Sequence, residues 1–350
     1  MTTISFGFTC SRIVAQPSGA ERYGVSSPST IDRVLQSYEE GKYFSRLVNH
    51  PAPHPLRTTP EVLYHAALHS LDPRFTVVMP TFNHESIIDR SIESMAMAAS
   101  LPFDCIIVDD GSEDDTAGRV KSFFESRRLP LVARATMIRN PVPIYETACD
   151  NLGFALADTE IIIEVQADIQ IREPAFDALF LRALATSPAP SAMSGRCGHT
   201  FASLGPRTRL LSWLPRPSRE LVGLCGKAIE TPGAVDPIKG RIYRCETVNR
   251  GPWLVLKSDL ERHGYLDERH FFQGNDDHDY HRRLFEAEGR RPLYVPMSLY
   301  APLAFGAVRR RRTGVNRDVF IALSADKRGS PAFHHFLNSL GPSSPPEAIA

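Results

Sequence analysis

Two adjacent carboxylates, Asp109 and Asp110, end the apolar run Cys105-Ile106-Ile107-Val108 and are followed by Gly111-Ser112-Glu113-Asp114-Asp115-Thr116. Such a run reads as a buried strand entering a turn. Gly111 permits the reversal, and Ser112 with Asp115 can cap a helix that carries Val120, Phe123 and Phe124 at helical spacing. Carboxylates at the carboxyl end of a strand in an open α/β sheet stand where such sheets bind ligands. The same residues are also ordinary turn formers. A second pair, Gln166 and Asp168, follows Ile161-Ile162-Ile163-Glu164-Val165. Positions two apart on extended chain point the same way, so this amide and carboxylate can converge on one ion. A hard divalent cation, Mg²⁺ or Mn²⁺, takes oxygen ligands and commonly completes its shell with substrate phosphates. One carboxylate and one amide suit an ion that arrives with a diphosphate better than a protein-only cage. The plainer reading is that Asp168 only terminates the strand.

The most polar stretch is Asp276-Asp277-His278-Asp279-Tyr280-His281-Arg282-Arg283. Three carboxylates within four positions repel unless a cation, an Arg or a proton intervenes, and this can raise the pKa of one of them, as a general base requires. If a helix starts near Asp277, Asp279 and Arg283 pair on one face. The alternative is an acidic helix N-terminus that complements the dipole. His278 and His281 lack the further ligands of a zinc site. The run Arg309 to Arg312 offers Arg310 and its neighbours to phosphates or an anionic membrane surface, or to solvent alone. No glycine-rich dinucleotide or P-loop pattern follows an expected strand.

The elements that must hold these groups read as alternating strands and helices. Strands are expected at Phe75–Met79, ended by Pro80, then at the organising run, at Val132–Ile138 and at Ile161–Val165. Helices are expected between them, after His84, to about Arg127, and over Tyr145–Ala157. That order implies an α/β domain with a mainly parallel central sheet and helices on both faces. A helix over 176–185, an irregular stretch from about 195 to 247, a strand at Trp253–Leu256, a short helix from Ser258 to His263 and a strand near Leu293–Val295 complete it. Ahead of the domain, helices are expected at 31–47 and 60–69, the second from Thr59-Pro60-Glu61. The expected division is an extension over 1–72, the α/β domain over 73–305 and a basic, then Pro- and Ser-rich tail over 306–350 that frays at its end.

Composition narrows the classes. The 350 residues carry 40 Lys plus Arg against 40 Asp plus Glu, which argues against a general nucleic-acid binder. The six cysteines, at 10, 105, 149, 197, 225 and 245, show no zinc-ligand or redox spacing, so a reducing compartment is expected. No apolar run reaches membrane-spanning length and no secretory signal is visible. The expectation is a cytoplasmic protein, with peripheral membrane attachment still compatible.

Four segments in order resemble the family 2 glycosyltransferases of GT-A fold: Phe75 to Asn83, with Val77-Val78-Met79-Pro80-Thr81-Phe82-Asn83, then Ile106 to Thr116, Ile161 to Asp168, and Gly274 to Arg283. Arg250-Gly251-Pro252 and Gly264-Tyr265-Leu266-Asp267-Glu268 resemble the segment before the last motif. The resemblance covers roughly residues 75 to 300. It implies an inverting, metal-assisted transfer of a sugar from a nucleotide-diphosphate donor, with UDP the first expectation, to a hydroxyl of a glycan, lipid-linked or protein acceptor. It assigns Pro80, Thr81, Asn83, Asp109, Asp110 and Gln166 to the donor nucleotide and Asp168 to the Mn²⁺ or Mg²⁺. Asp277 becomes the general base, with Asp276 the alternative by register. Arg250, Gly251, Asp279, Arg283 and Arg310 become acceptor or phosphate contacts. Two departures stand out: Gln166 replaces the first Asp of an Asp-x-Asp motif, and Asp276 stands where Glu is usual. The competing expectation is a degenerate domain that binds a nucleotide sugar or glycan without turnover.

Overall fold

The computed structural model describes residues 30–39, 59–187, 189–199, 219–220, 240–268, 271–272, 274, 276–303 and 347–349. The core is four parallel strands: β2 (Phe75–Thr81), β3 (Phe103–Asp109), β4 (Val132–Arg139) and β5 (Ile161–Glu164). They lie in the spatial order β4-β3-β2-β5. Every residue of β2 and β3 is buried, as continuous apolar strands covered on both faces should be. Helix α2 (Ile88–Ala98) links β2 to β3 and α3 (Thr116–Ser126) links β3 to β4. These two helices pack on each other, while α4 (Glu146–Leu156), which carries the chain back to β5, packs with α1 (Thr30–Glu39). The chain order therefore reverses between β2 and β5. That is the switch point at which α/β sheets open a ligand crevice beyond the strand carboxyl ends. Thr81, Asp109 and the segment after Glu164 all lie at that end.

Beyond β5 the sheet turns antiparallel. After the two-residue β6 (Gln170–Ile171) and α5 (Phe176–Thr186) comes β7 (Met193–His199), where the sequence suggested irregular chain. Strand β10 (Thr247–Leu256) runs antiparallel to both β5 and β7. It contains the cis peptide Gly251–Pro252 and begins well before the expected Trp253. Two helices follow it in the chain, α6 (Lys257–His263), closed by Gly264 at φ 89°, and α7 (Asp276–Glu288). The remaining strands are short: β8 (Arg219–Glu220), β9 (Tyr243–Arg244), β11 (Leu293–Tyr294), β12 (Leu299–Ala301) and β13 (Glu347–Ala348). β13 pairs with β9, so at least this part of the tail, expected to fray, joins the sheet.

Two further expectations change, and two fall outside the described residues. Residues 60–69, expected helical, form β1 (Glu61–Ala67), an edge strand antiparallel to β4 with a register shift between Val62 and Tyr64. The capping signal at Thr59–Glu61 is local, whereas the open edge of β4 needs partners for its N–H and C=O groups. Tyr64 stacks on Phe124 at 5.9 Å, which fixes which face of β1 turns inward. The sheet strand β2 runs through Pro80 to Thr81, in register with Val108 and Asp109. Helix α1 is described over Thr30–Glu39 only, and the rest of the expected helix to 47 lies outside the described residues, as do Arg310 and its arginine run.

Candidate active site

The donor-side groups gather at the ends of β2 and β3. Thr81 is buried and its Oγ1 lies 3.1 Å from His84 Nδ1. Asn83 takes a left-handed backbone, φ 53°, which Asn tolerates. Its amide donates to Ser112 Oγ at 2.9 Å, and its Oδ1 accepts from the Glu113 amide at 2.8 Å. The loops after β2 and β3 are thereby stitched together. Asp109 is fully buried, bonded to the Ser112 hydroxyl and 3.5 Å from Arg139 Nε. Burial pushes its pKa up to about 6 against the pull of Ser112 and Arg139. Asp110 faces the loop before α4: its carboxylate accepts from the Ile144 and Tyr145 amides at 2.8 and 3.0 Å. Asn140 Nδ2 and Cys149 Sγ lie against the same group, at 3.3 and 3.2 Å. Of the adjacent pair, Asp110 thus works as a loop anchor.

After β5 the two positions read as converging have different fates. Asp168 stays partly exposed, and no hydrogen bond or ion pair to another described residue engages its carboxylate. Gln166 is engaged at both ends: its Nε2 donates to Glu146 Oε1 at 2.8 Å and its Oε1 accepts from Arg196 Nη1 at 2.7 Å. Among the described residues no three His, Cys, Asp or Glu side chains gather as a metal cage. A single carboxylate of this kind would suit a divalent ion only in the mode that borrows diphosphate oxygens.

Opposite, the first turn of α7 presents Asp276 and Asp277, where the helix dipole favours negative charge. Asp276 is fully buried. Its Oδ2 lies 3.0 Å from Arg250 Nη2 and 2.9 Å from the Thr147 hydroxyl. Burial raises its pKa to about 7, Arg250 opposing and Asp277 and Glu146 adding to the rise. Asp277 keeps a small exposed surface, and its Oδ2 accepts from the Arg250 backbone amide at 3.1 Å. Burial would raise it too, but His278, Arg250 and the His278 amide outweigh that and hold it below the ordinary carboxylate range. Burial keeps His278 and His281 neutral, His281 down at about 3, so Arg250 and the amides supply the lasting pull at neutral pH. Asp277 is thus ionised and able to accept a proton, whereas Asp276 is spent on Arg250.

The remaining expected contacts turn inward. Arg250 is 3% exposed and held by Glu146 at 3.5 Å, by Asp150 in direct contact and by Asp276. Asp279 pairs with Arg282 at 2.8 Å and, as the spacing required, with Arg283 at 3.1 Å. Arg283 also caps the carbonyls of His263, Gly264 and Tyr265, tying α7 to the end of α6. Gly251 has φ 79°, and a Cβ there would stand 3.0 Å from Gln166 Cγ.

Sequence reasoning missed Glu146, Asp150, Glu164 and Arg196. Glu164 is fully buried with neither carboxylate oxygen hydrogen-bonded among the described residues. Burial first and Glu146 next push its pKa well above the usual carboxylate value. A carboxylate inside Ile-Ile-Ile-Glu-Val was a legible signal. Arg196 carried none, because its partners lie 30 and 54 residues away.

Residues 76–215 match the sequence model of "Glycosyl transferase family 2". Over 184 residues, 52% of this chain, the sequence is 26% identical to the validoxylamine A glucosyltransferase of Streptomyces hygroscopicus subsp. limoneus, a match that spans 39% of that protein's length. Among solved structures, the mannosyltransferase PcManGT from Pyrobaculum calidifontis, in complex with GDP-Man and Mn²⁺, is 18% identical. It aligns over 88% of this chain and 79% of its own at a TM-score of 0.46. S. aureus TarS is 14% identical over 64% of this chain and 60% of its own, at a TM-score of 0.41. The matched region, 140 of the 350 residues, contains the strand ends built above, from Thr81 to Asp168, so it is this α/β sheet and its strand-end groups that are similar to the family.

Proposed function

We propose that this chain transfers a sugar from a nucleotide diphosphate to an acceptor hydroxyl with inversion, Asp277 acting as the general base. The observation that carries this reading is the contrast at the start of α7. One carboxylate is consumed by a buried arginine, and its neighbour is ionised, oriented by the Arg250 amide and retains access to solvent. An ionised carboxylate within hydrogen-bond reach of an acceptor hydroxyl takes its proton as the oxygen attacks the anomeric carbon, and direct attack inverts that centre. Thr81, Asn83 and Asp109 line the nucleoside end at the switch point between β2 and β5. Asp168 is the group that would hold a divalent cation, which when bound offsets charge on the leaving diphosphate.

UDP- and GDP-linked sugars, with and without Mn²⁺, should be screened for turnover by wild type, Asp277→Asn and Asp168→Asn. The expected outcome is turnover in wild type that falls by about 10²–10⁴-fold in Asp277→Asn with nucleotide binding retained. Asp168→Asn should lose the Mn²⁺-dependent part of binding. Nucleotide binding by wild type without turnover of any donor would favour the binding-only alternative. Equal turnover in wild type and Asp277→Asn would remove Asp277 as the base.

A further inference from the structure

The polar contacts behind Asp277 close into a ring. Arg196 Nη1 donates to Gln166 Oε1 at 2.7 Å, and Gln166 Nε2 donates to Glu146 Oε1 at 2.8 Å. Glu146 Oε1 lies 3.5 Å from Arg250 Nη2. The Arg250 carbonyl then accepts from the same Arg196 Nη1 at 2.8 Å. The ring joins the segment after β5, the first turn of α4, β7 and β10, and the Arg250 amide that completes it on the far side is the one that holds Asp277 Oδ2.

Position 166 in this ring has a strict chemical requirement. Its neighbour Glu146 can only accept and its neighbour Arg196 can only donate. A side chain between them must donate at one end and accept at the other, which an amide does and a carboxylate does not. An Asp there would be too short to span both and would face Glu146 with like charge. The ring is packed as well as bonded, because Gly251 lies against Gln166 Cγ at the left-handed turn of β10.

We propose that Gln166 and Glu146 are positioning residues for the transfer step: their amide–carboxylate joint fixes the backbone of Arg250 and thereby the carboxylate of Asp277. This rests on the reading of Asp277 as the base. Gln166 is then the residue that site geometry demands, and the metal-binding role belongs to Asp168 alone.

The joint predicts a rescue that a metal or nucleotide role for Gln166 does not. In Gln166→Glu two carboxylates meet, and in Glu146→Gln the Arg250 guanidinium loses a charged partner. In the double variant the amide now at position 146 donates to the carboxylate now at position 166. That carboxylate still accepts from Arg196, and because a single atom, Glu146 Oε1, meets both Gln166 and Arg250, the amide at position 146 must turn about its last bond to put its nitrogen toward position 166 and its oxygen toward Arg250. The ring therefore reforms with one bond reversed and its net charge unchanged. The test is kcat and KM for donor turnover in wild type, both single variants, the double variant and Asp277→Asn, with thermal unfolding midpoints of all five and Mn²⁺-dependent UDP binding of Gln166→Asp. Each single variant should lower kcat by about 10- to 100-fold, the range for one charge-assisted hydrogen bond, with little change in donor KM. The double variant should return to within about threefold of wild type, since the ring regains its bonds, and its unfolding midpoint should recover in parallel. Losses in the single variants that simply add in the double variant would overturn the joint. So would a Gln166→Asp variant that binds UDP more tightly with Mn²⁺ and keeps full kcat. An inactive wild type, or an active Asp277→Asn, combined with rescue of the unfolding midpoint would overturn the role in transfer while leaving the ring as a structural joint.

Discussion

Replacing Arg250 with Met should be the most informative single test of the site's electrostatics. The guanidinium is 3% exposed and is the cation shared by Glu146, Asp150 and Asp276. Met roughly preserves the volume and removes the charge, leaving those carboxylates buried without their counter-ion. Breaking a buried pair by removing one partner costs about 3–5 kcal/mol. The loss must also depend on pH. In wild type Asp276 already titrates at about 7, above an ordinary carboxylate, so the native state holds a proton that the unfolded chain has released. Stability therefore falls as pH rises through the window from about 4 to about 7. Arg250 is what keeps that pKa from climbing further, so without it the window extends upward. The variant should lose about 3–5 kcal/mol at pH 8 and clearly less at pH 5.5, where Asp276 is protonated in the native state. Urea unfolding followed by the fluorescence of buried Trp253 reads the difference. A loss below about 1 kcal/mol at pH 8, or one equal at both pH values, would refute the picture of a cation-dependent acidic cluster.

Two further outcomes follow from single atoms. Gly251→Ala forces a side chain onto a left-handed backbone and puts its Cβ 3.0 Å from Gln166 Cγ and Ile169 Cδ1. It should destabilise by about 1–3 kcal/mol and lower kcat by displacing Gln166, as measured by urea unfolding and donor turnover. Glu164→Met removes a buried carboxyl with no hydrogen-bond partner among the described residues. It should stabilise the protein by about 1–4 kcal/mol at pH 8 and by less at pH 5, and a less stable variant at pH 8 would mean that the carboxyl has a polar role the fold depends on.

The sequence by itself determined the parallel core and its direction. Continuous apolar runs ending in Pro-Thr, Asp-Asp-Gly and Gln-Ala-Asp, separated by helical spacing, leave few other arrangements, because strand–helix alternation with short links is a local property of the chain. It also determined which strand ends carry polar groups, and the Asp279–Arg283 pair one helical turn apart. Contacts across the sheet were invisible to it. Residues 61–67 carry a helix-start signal and still became a strand, because the free edge of β4 is known only once the sheet exists. Asp109 and Asp110 look equivalent in sequence, yet one lies beside Arg139 and the other anchors the loop before α4. Gln166 reads as a weakened metal ligand when only its neighbours in the chain are known. Its hydrogen bonds go to Glu146, 20 residues before it, and Arg196, 30 residues after it. The motif register already favoured Asp277 over Asp276, but the different surroundings of the two needed Arg250, brought to the start of α7 by a strand from the far side of β5. Burial and long-range charge set how two adjacent carboxylates come to differ, and both are properties of the folded molecule rather than of any stretch of chain.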